Sequence, residues 1–106
     1  MATIEEFSKL QFKIARVVEA KPHPNADRLL VLQVDAGTGT KEIVAGIANH
    51  YRLEELAGKH VVIVDNLEPA TIRGVVSNGM LLAAQDGVSL ALVVPEKPVA
   101  AGATVR

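Results

Sequence analysis

One arginine, a serine, an asparagine and two glycines crowd into the stretch Arg73-Gly74-Val75-Val76-Ser77-Asn78-Gly79-Met80. Such groups suit contact with a sugar-phosphate backbone. A guanidinium can make a two-pronged charged bond, a hydroxyl and an amide serve as neutral donors, and glycine permits close backbone approach. The same residues equally describe a plain loop with a turn at Asn78-Gly79, where positive φ is needed. Met80 opens an apolar run and equally fits a core methionine. A second region is marked by charge. From Lys9 to Arg28 stand five cations (Lys9, Lys13, Arg16, Lys21, Arg28) against two anions (Glu19, Asp27), a local +3, while the rest of the chain nets −4. The overall charge of −1 argues mildly against indiscriminate polyanion binding. The basic residues are nonetheless concentrated, which fits either a binding surface or a solvated strand face.

Other chemistry finds no support. The histidines are His23, His50 and His60, and none is spaced as a metal pair. Zinc needs several convergent ligands, so no metal site is expected; one loop histidine and two half-buried ones are. Ser8, Ser77 and Ser89 lie outside any Gly-x-Ser-x-Gly elbow. Glu54 and Glu55 are adjacent on a helical turn, so their side chains diverge. Gly37-Thr38-Gly39 lacks the third glycine and following helix of a phosphate loop. Without cysteine there are no disulfides, no thiolate nucleophile and no cysteine-bound zinc. No catalytic residue and no cofactor is therefore expected. Phe7, Phe12 and Tyr51 are the only aromatics, few for a protein that stacks on bases. No apolar run approaches membrane-spanning length and no signal segment is visible, so a soluble, cytoplasmic protein is expected.

At 106 residues, 49% of them apolar, the chain is the size of one domain with its own core, residues 1–106. Thr3-Ile4-Glu5-Glu6 reads as a capping box, predicting a helical turn through Lys9 with Ile4, Phe7 and Leu10 on one side. Gln11 to Ala20 starts as an alternating strand. Its phase slips at the adjacent Val17 and Val18, suggesting a bulge near Ala15-Arg16. The prolines at 22 and 24 make 21–27 a loop. Strands are predicted over 30–35, 41–47, 60–65 and 80–84, with shorter ones at 91–94 and 104–106. Leu53 to Leu56 is a helical turn closing on Gly58. The segment 66–74 is expected to be loop. Short strands in this order, with a helical turn between the third and fourth, predict an all-β, five-stranded OB-fold barrel with a C-terminal β extension.

Three blocks then carry a resemblance. They are Phe7-Ser8-Lys9-Leu10 through Arg16-Val17-Val18-Glu19-Ala20; His23-Pro24-Asn25-Ala26-Asp27-Arg28-Leu29 with Leu32-Gln33-Val34-Asp35; and Asn66-Leu67-Glu68-Pro69, Arg73-Gly74 and Ser77 through Ala84. From end to end the chain resembles the tRNA-binding OB-fold domains found at the C-terminus of methionyl-tRNA synthetases, in their free-standing counterparts and in a stand-alone bacterial tRNA-binding protein. The resemblance implies a non-catalytic module that grips tRNA by shape and assists aminoacylation. Its implied partners are tRNA and the catalytic subunit of a methionyl-tRNA synthetase. It further implies a homodimer built from the N-terminal turn, residues 1–10, and the 90–106 extension. Carried over by position, the tRNA-contacting residues are Lys13, Arg16, Asn25, Arg28, Arg73, Ser77, Asn78 and Met80. Asn25 could equally cap the turn that launches the second strand. Two departures stand out: Ala15 replaces the usual glycine at the expected bulge, and lysine is scarcer. The rival reading is a protein-interaction or chaperone-like dimer of the same fold, which an exposed apolar groove would favour.

Overall fold

Thr3 caps the first helix as its residue type predicts. The Thr3 hydroxyl accepts the Glu6 N–H while the Glu6 carboxylate takes the Thr3 N–H, closing the capping box on α1 (Ile4–Ser8). The computed structural model describes residues 1–106. After α1 come β1 (Phe12–Pro22), β2 (Leu30–Asp35), β3 (Thr40–Ala45), α2 (Leu53–Leu56) and β4 (His60–Val64). They are followed by β5 (Ala70–Ile72), β6 (Val75–Ser77), β7 (Met80–Leu81), β8 (Ala83–Gln85), β9 (Leu90–Leu92) and β10 (Thr104–Val105).

The main sheet is antiparallel, in the order β3-β2-β1-β4-β7, with β10 joined to β1. It curls into a nearly closed barrel of OB type. β1 makes this possible because it is long: its first half pairs with β4, Phe12 through Arg16, and its second half with β2, Arg16 through Pro22. The bend between the halves is a bulge at Val18, where Val17 faces Val34 but Glu19 faces Gln33. This lies beyond the expected position. Ala15 sits in regular ladder opposite Val61 and is fully buried, so the space there suits alanine.

Inner-face residues alternate as a half-buried strand requires. Ala15 and Val17, Leu30, Leu32 and Val34, Ile43 and Ala45, and Val61 and Ile63 form one core, closed at one end by Leu56 of α2. Each fully buried Val, Leu or Ile stabilises the fold by roughly 1.5–3 kcal/mol.

Three expectations are corrected. β1 runs through Pro22 instead of stopping at Ala20. No other strand pairs with β1 on the far side beyond Arg16, so the missing proline N–H costs no ladder bond there. The stretch 66–74 contains β5, which forms a small hairpin with β6. The fifth strand is two pieces, because at Leu82 the backbone changes partner: β7 pairs with β4 and β8 with β9.

Candidate nucleic-acid interface

The β5–β6 hairpin turns tightly through Arg73 and Gly74, with Ile72 opposite Val75. Both central residues have positive φ, +52° and +93°. A two-residue turn of this hand matches the strand twist, and Asn-Gly is its favoured sequence. Arginine in the first position is strained by on the order of 1 kcal/mol or more. Reciprocal bonds to the β1–β2 loop hold it there: Asn25 Nδ2 donates to the Arg73 carbonyl at 3.0 Å, and Arg73 Nη2 donates to the Asn25 carbonyl at 3.2 Å. Beneath them, His23 is 5% exposed. Its Nδ1 lies 2.9 Å from the Asn25 N–H, which it accepts, and its Nε2 lies 2.9 Å from the Ile72 carbonyl. Accepting at Nδ1 places the proton on Nε2, which donates to Ile72. His23 is a loop histidine as expected, and it is buried as a joint between two loops; His60 is half-buried as expected, whereas His50, expected half-buried, is exposed.

Asn25, Arg28 and Arg73 line an open groove of about 480 Å³ with Ala26, Asp27 and Leu29. Both arginines are exposed. The ion pairs of the protein are Lys13–Asp65, Lys41–Asp65 and Arg52–Glu55, so neither arginine is paired with a carboxylate; nor are Arg16 and Lys21.

Lys13 lies elsewhere. It shares its face of β1 with Ala15 and Val17, so it points to the barrel interior, where it meets Asp65 at 3.3 Å. Lys41 of β3 reaches the same carboxylate at 2.7 Å and the Asp65 carbonyl at 3.1 Å. Two cations thus converge on one anion at an end of the barrel. Burial would raise the Asp65 pKa, but the hydrogen bonds and charges of Lys41 and Lys13 outweigh it and hold the carboxyl below its ordinary value. Arg16, three residues on from Lys13, faces outward, cross-strand from Asp35 and His60.

Ser77 and Asn78 form the seam that closes the barrel beside β3. The Ser77 hydroxyl, 3% exposed, accepts the Val44 N–H at 2.9 Å and donates to the Gly79 carbonyl at 3.0 Å. The Asn78 N–H bonds the Glu42 carbonyl at 2.8 Å. Gly79 follows at φ +131°, where a Cβ would lie 2.9 Å from the Val64 carbonyl oxygen. Met80 is 48% exposed and borders a small apolar groove of about 180 Å³ with Val44, Ile47, Leu81 and Leu90. The predicted residues therefore divide into an open arginine groove, an inward ion cluster, a barrel seam and an apolar groove. Sequence reading missed His23 as a positioning group. Its place between two prolines, in a loop that must fold tightly, was the available signal.

The aromatic residues all have partners within the protein. Phe7 and Phe12 stack on each other, with centroids 5.4 Å apart, and the Tyr51 hydroxyl accepts the Leu92 N–H.

A family described as "Putative tRNA binding domain" matches residues 12–104 of this chain. The chain belongs to that family. Over 104 residues, 98% of its length, it is 52% identical to the methionine–tRNA ligase of Pyrococcus furiosus. It covers only 14% of that ligase, and likewise about a seventh of the length of the methionine–tRNA ligases of Pyrococcus horikoshii and Thermococcus kodakarensis. A crystal structure of a MetRS-related protein from Pyrococcus horikoshii superposes with TM-score 0.92 at 36% identity, covering 100% of this chain and 98% of that one. The CsaA chaperone protein from Picrophilus torridus superposes equally well, at TM-score 0.92 and 27% identity, with all of both chains covered. This tRNA-binding domain is therefore related both to methionyl-tRNA synthetases and to CsaA proteins.

Proposed function

We propose that this tRNA-binding domain is a non-catalytic module that holds folded tRNA by its backbone and assists aminoacylation by a methionyl-tRNA synthetase. The observation that carries the reading is the groove between Arg28 and Arg73, with both guanidinium groups exposed and free of carboxylate partners. Each cation placed on a phosphate releases counterions and strengthens binding. Arg16 and Lys21 lie further along β1 among carboxylates, Arg16 cross-strand from Asp35 and Lys21 beside Glu19 and Glu42, so the groove carries the main positive charge. Asn78, through its half-buried side chain, and Met80 add ribose or base contacts. Ser77 contributes by fixing the loop, and Lys13 by ordering the barrel end. Engaged aromatics favour recognition of backbone shape over base stacking. Weak binding of this kind serves a synthetase by raising effective concentration.

The proposed assembly is a homodimer. α1 has no buried residue, and Ile4, Phe7 and Leu10 are 75%, 44% and 41% exposed. Val93, Val94 and Val99 add apolar surface from the C-terminal extension. A second reading, binding of extended protein segments, draws on the apolar groove beside Met80 and the likeness to CsaA.

The deciding experiment titrates bulk tRNA, duplex RNA and single-stranded RNA at two salt concentrations. Preference for folded tRNA, weakening as salt rises, is expected. Equal affinity for all three would refute recognition of folded tRNA, and no binding at low salt would favour the protein-binding reading.

A further inference from the structure

The residues that display Arg73 are as specific an arrangement as Arg73 itself. The turn it occupies is strained and exposed, on a hairpin of two three-residue strands. Left alone, such a hairpin is marginal. Its base is tied to β3 through Ser77 and Asn78, and its turn end is fixed by the β1–β2 loop, through one buried imidazole that spans both segments. His23 accepts the Asn25 N–H on one side and donates to the Ile72 carbonyl, just before the turn, on the other. Asn25 then grips the Arg73 carbonyl, and the Arg73 side chain lies back over the Asn25 carbonyl with only Nη2 engaged. A guanidinium has five N–H donors, so the remaining ones stay available beside Arg28.

We propose that His23 is a positioning residue for RNA binding: acting through Asn25 and Ile72, it locks the β1–β2 loop and the β5–β6 turn into one preassembled phosphodiester site between Arg28 and Arg73. On this view the affinity of Arg73 depends on a histidine that never touches RNA. The proposal rests on the tRNA-binding reading above. It adds that the two loops act as a unit and names the residue that makes them one.

Two conservative substitutions separate the two bonds of the imidazole. The short amide of His23→Asn keeps an acceptor for the Asn25 N–H but cannot reach Ile72. His23→Gln keeps a donor that reaches Ile72. Binding of tRNA is measured at low salt for the wild type, His23→Asn, His23→Gln, Arg73→Ala and the double variant His23→Asn/Arg73→Ala, well below every melting midpoint. Arg73→Ala is expected to weaken binding about tenfold, the weight of one charge-assisted hydrogen bond. His23→Asn should lose a comparable factor, and the double variant no more than Arg73→Ala alone. His23→Gln should retain most of the affinity. Multiplying losses in the double variant, or unchanged affinity in His23→Asn, would overturn the proposal. Amide hydrogen exchange across residues 72–75 gives an answer independent of RNA. It should quicken in His23→Asn and not in His23→Gln, and unchanged exchange would refute the lock. Should wild-type protein not bind tRNA, the tRNA reading fails, while the exchange result still decides whether His23 joins the loops.

Discussion

Replacing Ser77 with alanine separates a structural hydroxyl from an RNA contact. Its Oγ accepts the Val44 N–H and also donates to the Gly79 carbonyl, both at the seam beside β3. Val44 is 8% exposed, so water cannot readily replace the lost acceptor. A buried backbone donor left unsatisfied costs roughly 1–3 kcal/mol, and the orphaned carbonyl, with its second lone pair, adds less. The expected loss is about 2 kcal/mol, which for a domain of this size lowers the melting midpoint by roughly 8 °C. The assay is thermal unfolding by circular dichroism, with tRNA titration at a temperature where both proteins are fully folded. Ser77→Thr, which keeps the hydroxyl, should recover most of the stability. An unchanged midpoint combined with a large loss of tRNA affinity would refute this reasoning and make the hydroxyl a direct ligand of RNA.

Arg28→Ala should leave the melting midpoint within a degree or two, lower tRNA affinity, and reduce the log–log salt slope by roughly 0.7–0.9 if one phosphate contact is lost. Asp65→Asn should destabilise the protein at neutral pH, since Lys13 and Lys41 lose their shared anion. The folded pKa of Asp65 lies below its ordinary value, so its contribution is full above the unfolded carboxylate pKa of about 4. That contribution is lost as pH falls through the folded value, so urea midpoints of the two proteins should converge in acid. Gly79→Ala should cost on the order of 1–3 kcal/mol from its backbone conformation, and more from the contact with the Val64 carbonyl, as chemical denaturation would show. If the proposed homodimer forms, Phe7→Glu should convert it to monomers in sedimentation, with the barrel still folded; a wild-type monomer would refute the assembly.

Much of the fold was legible because local signals agreed with one another. The capping box, β2 residue for residue, and the α2 turn all appear where residue types placed them. The β5–β6 hairpin was not visible, because its strands are short and half exposed and its turn carries arginine where asparagine would have announced it. At the site, the instructive case is Lys13 with Arg16. A bulge between them would have brought both to one face. The bulge lies at Val18, so the two-residue period of a strand sends them to opposite faces. That Lys41 and Asp65 would meet Lys13 inside the barrel depends on a closure that joins residues far apart in sequence. Spacing along the chain carries no trace of it.

Asn66 fixes the direction in which α1 leaves the barrel. Its side-chain amide donates to the Lys9 carbonyl at 2.7 Å and accepts the Gln11 N–H at 2.8 Å, and the neighbouring Asp65 N–H bonds the Gln11 carbonyl. One carboxamide thus works as a bracket that holds a short arm at a set bearing before anything has docked on it. A surface aimed in advance surrenders little orientational freedom on association, which would favour the proposed homodimer contact through the small apolar patch of Ile4, Phe7 and Leu10. Removing the bracket with Asn66→Ala would leave that patch chemically intact and let it swing.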